Sequence, residues 1–415
     1  PTYEWSLQAA SDAFVAGGFK DWDGDGVMEY SPTRSSADKE ELPVIKWYTN
    51  VESDHRQHLS LLIDSYMKML TGYPCGSIPH EVIITTYEVI DEVCWYYYDY
   101  DVYVEYWDWG ATPDFYAEWF ASFGDIFPAG YANNYHRYHS KEFDQCADAF
   151  MTAPSAEDAL GACYDMQTVL HTDAVAIPYY QYVGYVPSRT WYRTWPGEEK
   201  YAGKNWTDMC VYPGEGTYTF TGGWNQLNAH LQGFEKGGTL RVGLGLDPLT
   251  LDVVDSWYFY DHMVLTQIYE TLLRPNPWDP CNVSAMIPWL CSSYKVGTWE
   301  KPGVGTCTAM NFTLIPGVLW QDGTPMTAED VGWSFWFYRE VASIQYPKAK
   351  NFDSYIIYQN TPEPGIETIE LRFNIRTWLA PAWVNGIYGC YILPKHIWEP
   401  IGPEGSPRYV PEDHD

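Results

Sequence analysis

The stretch Phe312-Thr-Leu-Ile-Pro-Gly-Val-Leu-Trp-Gln-Asp-Gly-Thr-Pro-Met-Thr-Ala-Glu-Asp-Val331 decides how the second half of this chain folds. It begins inside a β-rich run, Met310 to Ile315, which predicts a strand. Asp322-Gly323-Thr324 has the composition of a turn, and we interpret it as structural. A helix is predicted from Thr327 to Glu340, with Thr327 as its N-cap and Asp330 as the reciprocal capping residue. A strand, a turn and a capped helix therefore follow in direct succession.

Further elements surround this stretch. Thr239 to Leu246 and Ile366 to Phe373 predict strands, and Tyr260 to Leu273 predicts a helix. We therefore assign residues 238–415 to one α/β domain. Residues 195–237 are rich in Gly and Thr and predict a loop-rich bridge in front of it.

The first half of the chain alternates between strand and helix patterns. Strands are predicted at Pro43–Tyr48, Glu81–Thr86 and Tyr100–Trp107, and helices in between at about 54–70 and Tyr87–Tyr97. This β-α-β-α-β order indicates an α/β layer with parallel strand pairing. Helices at 142–151 and 156–171 and a strand at Ala174–Tyr185 complete a predicted domain over residues 1–194.

Composition limits the function classes. Among 415 residues, 55 are Asp or Glu and 24 are Lys or Arg, which gives a formal net charge of −31. Such a surface repels phosphate backbones, so we expect no nucleic-acid partner. The chain also has 21 Trp and 36 Tyr. These rings could form stacking surfaces for ligands or pack in aromatic-rich cores, and both interpretations stay open.

The second half resembles a known family. Together with the opening stretch, Gly238-Thr-Leu-Arg-Val-Gly243, Gln267-Ile-Tyr-Glu-Thr-Leu272 and Ile392-Leu-Pro-Lys-His-Ile-Trp398 resemble the first lobe of the family 5 extracellular solute-binding proteins. These are the peptide and nickel receptors of ABC importers. The resemblance covers about 238–398 and implies periplasmic-binding-protein-like (type II) lobes, with mixed sheets flanked by helices.

The first half resembles the second lobe of the same family over about 1–190. The resemblance is carried by Ala16–Gly26, Tyr106–Asp114, Tyr138–Asp144 and Ala174–Pro178. Second-lobe sequence thus precedes first-lobe sequence, which is the reverse of the family's order. The chain is therefore interpreted as a permuted form, a fragment of a tandem array, or a subunit whose lobes a neighbour completes. Head-to-tail completion of this kind could produce an open polymer.

The resemblance also implies ligand-binding residues. In the family's peptide receptors an aspartate of the segment matching 106–114 holds the ligand's amino terminus, which points to Asp114. The segment is shorter here, with Thr112 and Pro113 before that residue. Asp114 could equally cap a helix at Phe115–Phe120. Stacking residues for peptides or oligosaccharides are expected at Trp107, Trp109, Tyr116, Trp257 and Tyr258, and core packing is the alternative for each.

One acidic segment has the spacing of a cation site. Asp21, Asp23, Asp25 and Glu29 form D-x-D-x-D-G-x-x-E, which is similar to the opening of a calcium loop. An EF-hand would need its glutamate at position twelve, and that residue is Pro32. The segment therefore predicts either a shortened Ca²⁺ loop or a solvated turn, and no other cofactor is expected.

The cysteines and sequons indicate an extracellular location at the cell surface, and the sequons together with the acidic composition are typical of an archaeal surface protein. The chain has nine Cys without a C-x-x-C spacing and three N-x-S/T sequons, at Asn205, Asn282 and Asn311. We expect glycosylation there. The predicted disulfides are Cys75–Cys94, Cys146–Cys163 and one pair among Cys281, Cys291 and Cys307. Buried free thiols are the alternative.

Searches for catalytic motifs find nothing. The chain has no G-x-S-x-G, H-E-x-x-H or P-loop sequence, so we do not expect an enzyme. The predicted function is an extracellular solute-binding protein that captures peptides or oligosaccharides and delivers them to the membrane subunits of an ABC importer. The alternative is a self-assembling structural subunit of a filament or surface layer, with each lobe completed by its neighbour.

Overall fold

The computed structural model is a mixed α/β protein whose helices flank its sheets, which confirms the predicted fold class. It describes residues 5–105, 114–122, 134, 136–179, 192–193, 196–207, 229–244, 247–254, 256, 259–276, 279, 282–341, 347–358, 366–384 and 390–399. The described residues of 1–108 and 122–138 form one compact unit, and those of 109–121 and 139–415 form a second. The predicted boundaries at 194 and 238 stay a prediction.

A three-stranded parallel sheet organises the first unit. Strand β4 (Ile45–Asn50) lies between β5 (His80–Thr85) and β6 (Val102–Tyr103) and is parallel to both. The connections are helix α2 (Asp54–Met69) and helix α3 (Tyr87–Ile90), which continues as a π-helical turn to Tyr96. The predicted β-α-β-α-β order with parallel pairing is thus confirmed. The hydroxyl of Ser53 caps helix α2.

A small antiparallel sheet precedes the parallel one. Helix α1 (Leu7–Ala16) is followed by strands β1 (Phe19–Lys20), β2 (Glu29–Tyr30) and β3 (Glu40–Glu41), which pair in that order. The acidic segment 21–29 connects β1 to β2. Met28, Leu70 and Cys75 form the buried core beside this sheet.

A four-stranded antiparallel sheet, in the order β11-β12-β14-β13, forms the core of the second unit. Its strands are β11 (Cys291–Lys301), β12 (Gly305–Leu314), β13 (Phe352–Tyr358) and β14 (Thr368–Phe373). Alternate residues of the two central strands, such as Met310, Phe312, Ile369 and Leu371, are fully buried. At about 25 cal/mol per Å² of apolar surface, this buried face is the main stabilising contribution of the sheet.

The opening stretch forms the predicted capped helix. The helix (Ala328–Glu340, here α8) has Thr327 as its N-cap, and Asp330 accepts a 2.8 Å hydrogen bond from the Thr327 backbone amide. Asp330 uses its other carboxylate oxygen to accept the Lys395 amide at 2.9 Å. One side chain therefore caps α8 and also fixes the segment that starts helix α10 (Lys395–Trp398).

The structure describes five further helices and two pairs of short strands. The helices are α4 (Asp114–Phe120), α5 (Lys141–Met151), α6 (Ala156–Asp173), α7 (Phe259–Leu265) and α9 (Ala380–Trp383), and the strand pairs are β7 (Trp206–Thr207) with β8 (His230–Leu231) and β9 (Leu273–Arg274) with β10 (Ile287–Pro288). Ser140 and Ser155 cap α5 and α6. These are the two helices predicted at 142–151 and 156–171. No described helix has the length and apolar composition needed to cross a bilayer.

Two predicted strands differ from the structure. The described parts of Ala174–Tyr185 and Thr239–Leu246, residues 174–179 and 239–244, form no strand. Ile177 is 61% exposed and Val242 is 48% exposed. A strand needs a partner for its backbone groups, and no described strand pairs with either segment. The helix predicted at Tyr260–Leu273 ends early at Leu265, since Leu273 pairs with Pro288 in a strand.

The structure also corrects the predicted disulfides, because every described cysteine is a free thiol. These are Cys75, Cys94, Cys146, Cys163, Cys291, Cys307 and Cys390. Cys75 is buried beside the small antiparallel sheet, whereas Cys94 is buried in the core of the parallel sheet. Their closeness along the chain therefore does not bring them together.

The other predicted pairs are also not formed among the described cysteines. Cys307 lies opposite Trp299, eight residues along β11 from Cys291. That separation is about 26 Å at ~3.3 Å per residue, far beyond the reach of a disulfide. Cys163 on α6 instead contacts Gln167 of its own helix at 3.2 Å, and Cys146 on α5 is also free. Cys281 lies outside the described residues.

Candidate functional site

The strand order of the first unit determines where a ligand site would lie. Starting from β4, the chain adds β5 on one side, then returns past β4 to add β6 on the other side. In open parallel sheets, ligands bind at the carboxyl ends of strands where the connections diverge in this way. The candidate site is therefore the carboxyl edge of β4 and β6, called here the carboxyl-edge site.

Three polar side chains meet at the carboxyl-edge site. Arg56 donates from Nη1 to Glu105 Oε1 at 2.9 Å and to Asn50 Oδ1 at 3.0 Å. Asn50 ends β4, Arg56 lies in the first turn of α2, and Glu105 follows β6 after one residue. The Arg56 and Glu105 side chains are only 16% and 9% exposed. An ion pair held this far from solvent is expensive to bury, so it demands precise hydrogen bonding.

The surroundings of this ion pair are acidic and of low polarity. Burial, together with the negative charges of Glu105 and Asp91, raises the pKa of the Cys94 thiol to about 12. Burial also raises the pKa of Asp91, which begins the π-helical turn. Glu105, Asp91 and Cys94 therefore lie close enough to interact electrostatically. π-Helical turns are frequent at functional sites.

Two buried hydroxyl groups near the same strand ends have no hydrogen-bond partner among the described residues. They are Thr49 Oγ1, one residue before the end of β4, and Tyr103 OH, in the last residue of β6. Buried polar atoms in native proteins nearly always have a partner. Their orphaned state here indicates a place for a ligand or water.

The structure describes two of the six residues predicted to bind ligand, Asp114 and Tyr116. Trp107 and Trp109, two and four residues after Glu105, lie outside the described residues, as do Trp257 and Tyr258. Asp114 and Tyr116 belong to the second unit, on helix α4. Asp114 is the first residue of that helix and is buried. Their role in ligand binding stays a prediction.

Tyr116 is half-buried where α4 packs in the second unit. Burial raises the pKa of the Tyr116 hydroxyl, and the neighbouring Cys163 of α6 adds to this increase. Helix α4 also places Phe120 edge-on against Phe143 of α5, with ring centroids 6.3 Å apart. Through these contacts α4 packs with α5 and α6 in a layer of three helices.

Sequence reasoning missed Asn50, Arg56 and Glu105. The usable signal was their position, because each is a polar residue within a few positions of the carboxyl end of a predicted parallel strand. The pairing of Arg56 with Glu105 could not be predicted from the sequence, since it depends on β6 lying next to β4.

The acidic segment forms a compact loop between β1 and β2. Asp21, Asp23 and Glu29 bring carboxylate oxygens within 4.8 Å of one another, which is the spacing of a cation site. Asp25 is not part of this group and accepts the Val27 amide at 2.8 Å. Asp21 similarly accepts the Gly24 and Gly26 amides at 2.7 and 3.1 Å.

A lysine already supplies positive charge to this loop. The Lys39 ammonium donates to Glu29 Oε1 at 2.6 Å and also to Asp23. Hydrogen bonding to Asp23 and then to Glu29 raises the pKa of Lys39, and the pKa of Asp23 is lowered in return. Glu29 is nearly buried, with its side chain 4% exposed. A Ca²⁺ ion would therefore have to displace the ammonium.

This competition makes a prediction for Lys39→Met, which keeps the aliphatic stem and removes the charge. We expect the variant to unfold at a lower temperature in EDTA and to be stabilised by millimolar Ca²⁺, because the three carboxylates then lack a counter-charge. The measurement is thermal unfolding with and without Ca²⁺. Lys20→Met, which removes a neighbouring lysine stacked on Trp22, is the control. Equal Ca²⁺ stabilisation of the parent and Lys39→Met would refute the competition.

The sequons differ in their surroundings. Asn205 and Asn282 are exposed, and Asn282 caps a short helical turn through its Oδ1. Asn311 lies in the central strand β12, opposite Glu370 of β14. Although burial raises it, the pKa of Glu370 is held below its usual value by hydrogen bonds that include one from Asn311. Glycan occupancy at all three positions stays a prediction.

Comparison with known proteins gives a local likeness. No family model and no curated protein matches the chain. Solved structures similar to it include NikZ from Campylobacter jejuni in complex with Ni(L-His), at 21% identity and a TM-score of 0.24 over 33% of this chain and 24% of that one. The periplasmic oligopeptide-binding protein of Thermotoga maritima is 25% identical, with a TM-score of 0.22 over 32% of this chain and 21% of that one.

The Thermotoga maritima protein is also similar in its mannohexaose-bound form, at 26% identity and a TM-score of 0.21, with the same coverage. The chain thus spans about a quarter or less of the length of the solved structures it matches. The similarity covers only a part of each of these structures.

Proposed function

We propose that this chain is part of an extracellular solute-binding protein that captures peptides or oligosaccharides for an ABC importer. The observation that carries the proposal is the carboxyl-edge site, where Asn50, Arg56 and Glu105 meet at the divergence point of a parallel sheet. In the sequence, the aromatic segment 106–113 follows Glu105, and residues of these types suit a ligand with both polar and flat apolar parts. The solved structures similar to the chain support the same role.

The site needs no catalytic group to perform this role. Arg56 offers further N–H donors beyond the one shared by Glu105 and Asn50, and Glu105 offers carboxylate oxygens. A ligand can therefore add hydrogen bonds to an ion pair that is already oriented. Binding between lobes would close them by a hinge motion, and the importer would recognise the closed form.

The test is isothermal titration calorimetry with two probes, trialanine and mannohexaose. We expect one of them to bind, and Arg56→Met or Glu105→Gln to weaken that binding by about tenfold or more, since each removes a buried, charged hydrogen-bonding group. Lys68→Met on the same helix is the control, because its side chain is 68% exposed. It should bind like the parent.

Thermal unfolding of each variant shows whether it is folded, and the near-isosteric Glu105→Gln keeps the experiment decisive if Arg56→Met is unstable. Binding of a probe with equal affinity to the parent and to folded Glu105→Gln would place the ligand elsewhere. Absence of binding by both probes would contradict the proposed ligand classes.

The structural alternative, a subunit completed by its neighbour, is favoured by one observation. The described part of the predicted strand 239–246 forms no strand and leaves Val242 48% exposed, and Leu249 and Leu251 beyond it are 73% and 53% exposed. Apolar residues that alternate along an extended segment usually belong to a sheet. A second proposal is therefore that another polypeptide segment completes this part of the second unit.

A further inference from the structure

Strand β11 forms one edge of the four-stranded sheet in the second unit. It is 11 residues long and pairs with β12 on one side. No described strand pairs with it on the other side along Ser293 to Lys301. Long, flat edge strands are templates for pairing with another chain, and proteins usually block them.

The hydrogen-bond pattern shows which groups of β11 are available. The amides of Thr308 and Leu314 donate towards the β14 side of β12, to Ile375 and Glu367. The backbone N–H and C=O groups of the odd-numbered residues of β12 therefore point to β11. There they face the backbone groups of odd-numbered partners such as Lys295 and Gly297. The N–H and C=O groups of the even-numbered residues point outward, namely those of Tyr294, Val296, Thr298 and Glu300.

The side chains along this edge do not block it. Val296 is 51% exposed, and no proline or bulge occurs between Ser293 and Lys301. Lys295 is the one charge near the middle of the strand, and a central lysine normally discourages pairing. Whether it does so here depends on what lies opposite it.

We propose that β11 pairs through this edge with β11 of a second copy of the chain, antiparallel about a two-fold axis at Gly297. Gly297 is the midpoint of Ser293–Lys301, so this register uses the full length of the regular strand. Its hydrogen-bonded pairs are formed by residues whose backbone groups point outward, namely Val296 with Thr298 and Tyr294 with Glu300 of the other copy. The interface is isologous and closes as a dimer, unlike head-to-tail completion.

This register avoids facing like charges. Lys295 lies opposite Trp299 of the other copy, whose ring already stacks with Arg372 and donates to the Phe373 carbonyl of its own chain. Centring the axis on Lys295 would instead place two lysines opposite each other. Gly297 can approach its own copy closely because neither strand has a side chain at that point.

The expected dimer is weak. The paired strands would form about eight main-chain hydrogen bonds, and an interface of two single strands is smaller than the ~1,200 Å² of a standard complex. Each chain also carries a net charge of −31, so the copies repel one another at low ionic strength. We therefore expect micromolar affinity that increases with salt concentration.

The test combines sedimentation equilibrium with cross-linking. The parent should form a reversible dimer below about 100 µM protein in moderate salt. Val296→Lys should weaken it by about tenfold or more, because a lysine added beside Lys295 on an edge strand opposes pairing. Val304→Lys is the matched control: Val304 is 62% exposed in the β11–β12 turn, away from the edge, and the variant should behave like the parent.

Gly297→Cys provides a second arm. Facing residues at a non-hydrogen-bonded antiparallel position are close enough for a disulfide, so oxidised Gly297→Cys should form a covalent dimer. A cysteine at 297 fits, because the nearest atom to its Cβ would be the Ala309 carbonyl oxygen at 4.0 Å. Val304→Cys is the control and should cross-link far more slowly.

A parent that stays monomeric throughout this range would overturn the proposal, as would filaments or association that Val296→Lys and Val304→Lys affect equally. If Val296→Lys fails to fold, the Gly297→Cys and Val304→Cys comparison decides. Equal cross-linking of those two variants would also refute pairing through β11.

Discussion

Replacing Asp330 by alanine is expected to lower the free energy of unfolding of the second unit by about 3 kcal/mol. Alanine leaves the Thr327 amide, the Thr327 hydroxyl and the Lys395 amide without their charged acceptor, and each loss costs about 1 kcal/mol or more. Asp330 is 6% exposed, so water replaces the lost carboxylate poorly. Chemical unfolding followed by tryptophan fluorescence is the measurement.

The adjacent Glu329→Ala is the matched control for Asp330→Ala. Glu329 also contacts Lys395, at 2.8 Å, but its side chain is 47% exposed. A surface ion pair of this kind contributes at most about 1 kcal/mol. Equal destabilisation by both substitutions would mean that net charge, rather than the buried acceptor of Asp330, stabilises this junction. Asp330→Asn, which keeps one acceptor oxygen, should lie between the two.

The cap of helix α8 at this junction could be predicted from the sequence. The capping box of Thr327 and Asp330 is a local pattern, and its two residues are three positions apart. The parallel order of β4, β5 and β6 was also predictable, because alternating strand and helix patterns leave few topologies. What could not be predicted was the bond from Asp330 to the Lys395 amide, which joins segments far apart in the chain.

In the candidate sites, too, local patterns could be predicted and contacts between distant segments could not. The carboxylates of the acidic loop were found from their spacing, but the lysine that neutralises them lies ten residues beyond Glu29 and carries no local signal. The ion pair of Arg56 and Glu105 needs the order of the parallel strands to be known first. The disulfide predictions failed because nearness in sequence was used in place of nearness in space.

A second large effect is expected from His262, which is buried on helix α7. Its Nε2 donates to the Ser256 carbonyl at 3.2 Å, and its Nδ1 accepts from the Tyr391 hydroxyl at 3.3 Å, so the ring is held neutral. Burial lowers the pKa of His262 from 6.5 to about 4, although the Ser256 carbonyl and the charge of Asp261 oppose this shift. Protonation of the ring therefore opposes the folded state.

The sign of the pH dependence follows from this lowered pKa. Between pH 6.5 and about 4 the unfolded chain binds a proton at His262 that the folded chain does not. Stability is therefore complete above pH 6.5 and falls as the pH drops, by about 2 kcal/mol at pH 5 and about 3 kcal/mol at pH 4. The falling net negative charge acts in the opposite direction, because it reduces self-repulsion.

A comparison of variants separates these two effects. Chemical unfolding of the parent and His262→Leu is measured at pH 7.5 and pH 5, and the loss between the two should be smaller in the variant by about 2 kcal/mol. His171→Gln, an exposed histidine on α6, should behave like the parent. If His262→Leu does not fold, an NMR titration of the parent decides, because a ring that protonates near pH 6.5 in the folded protein would contradict its burial in a neutral form.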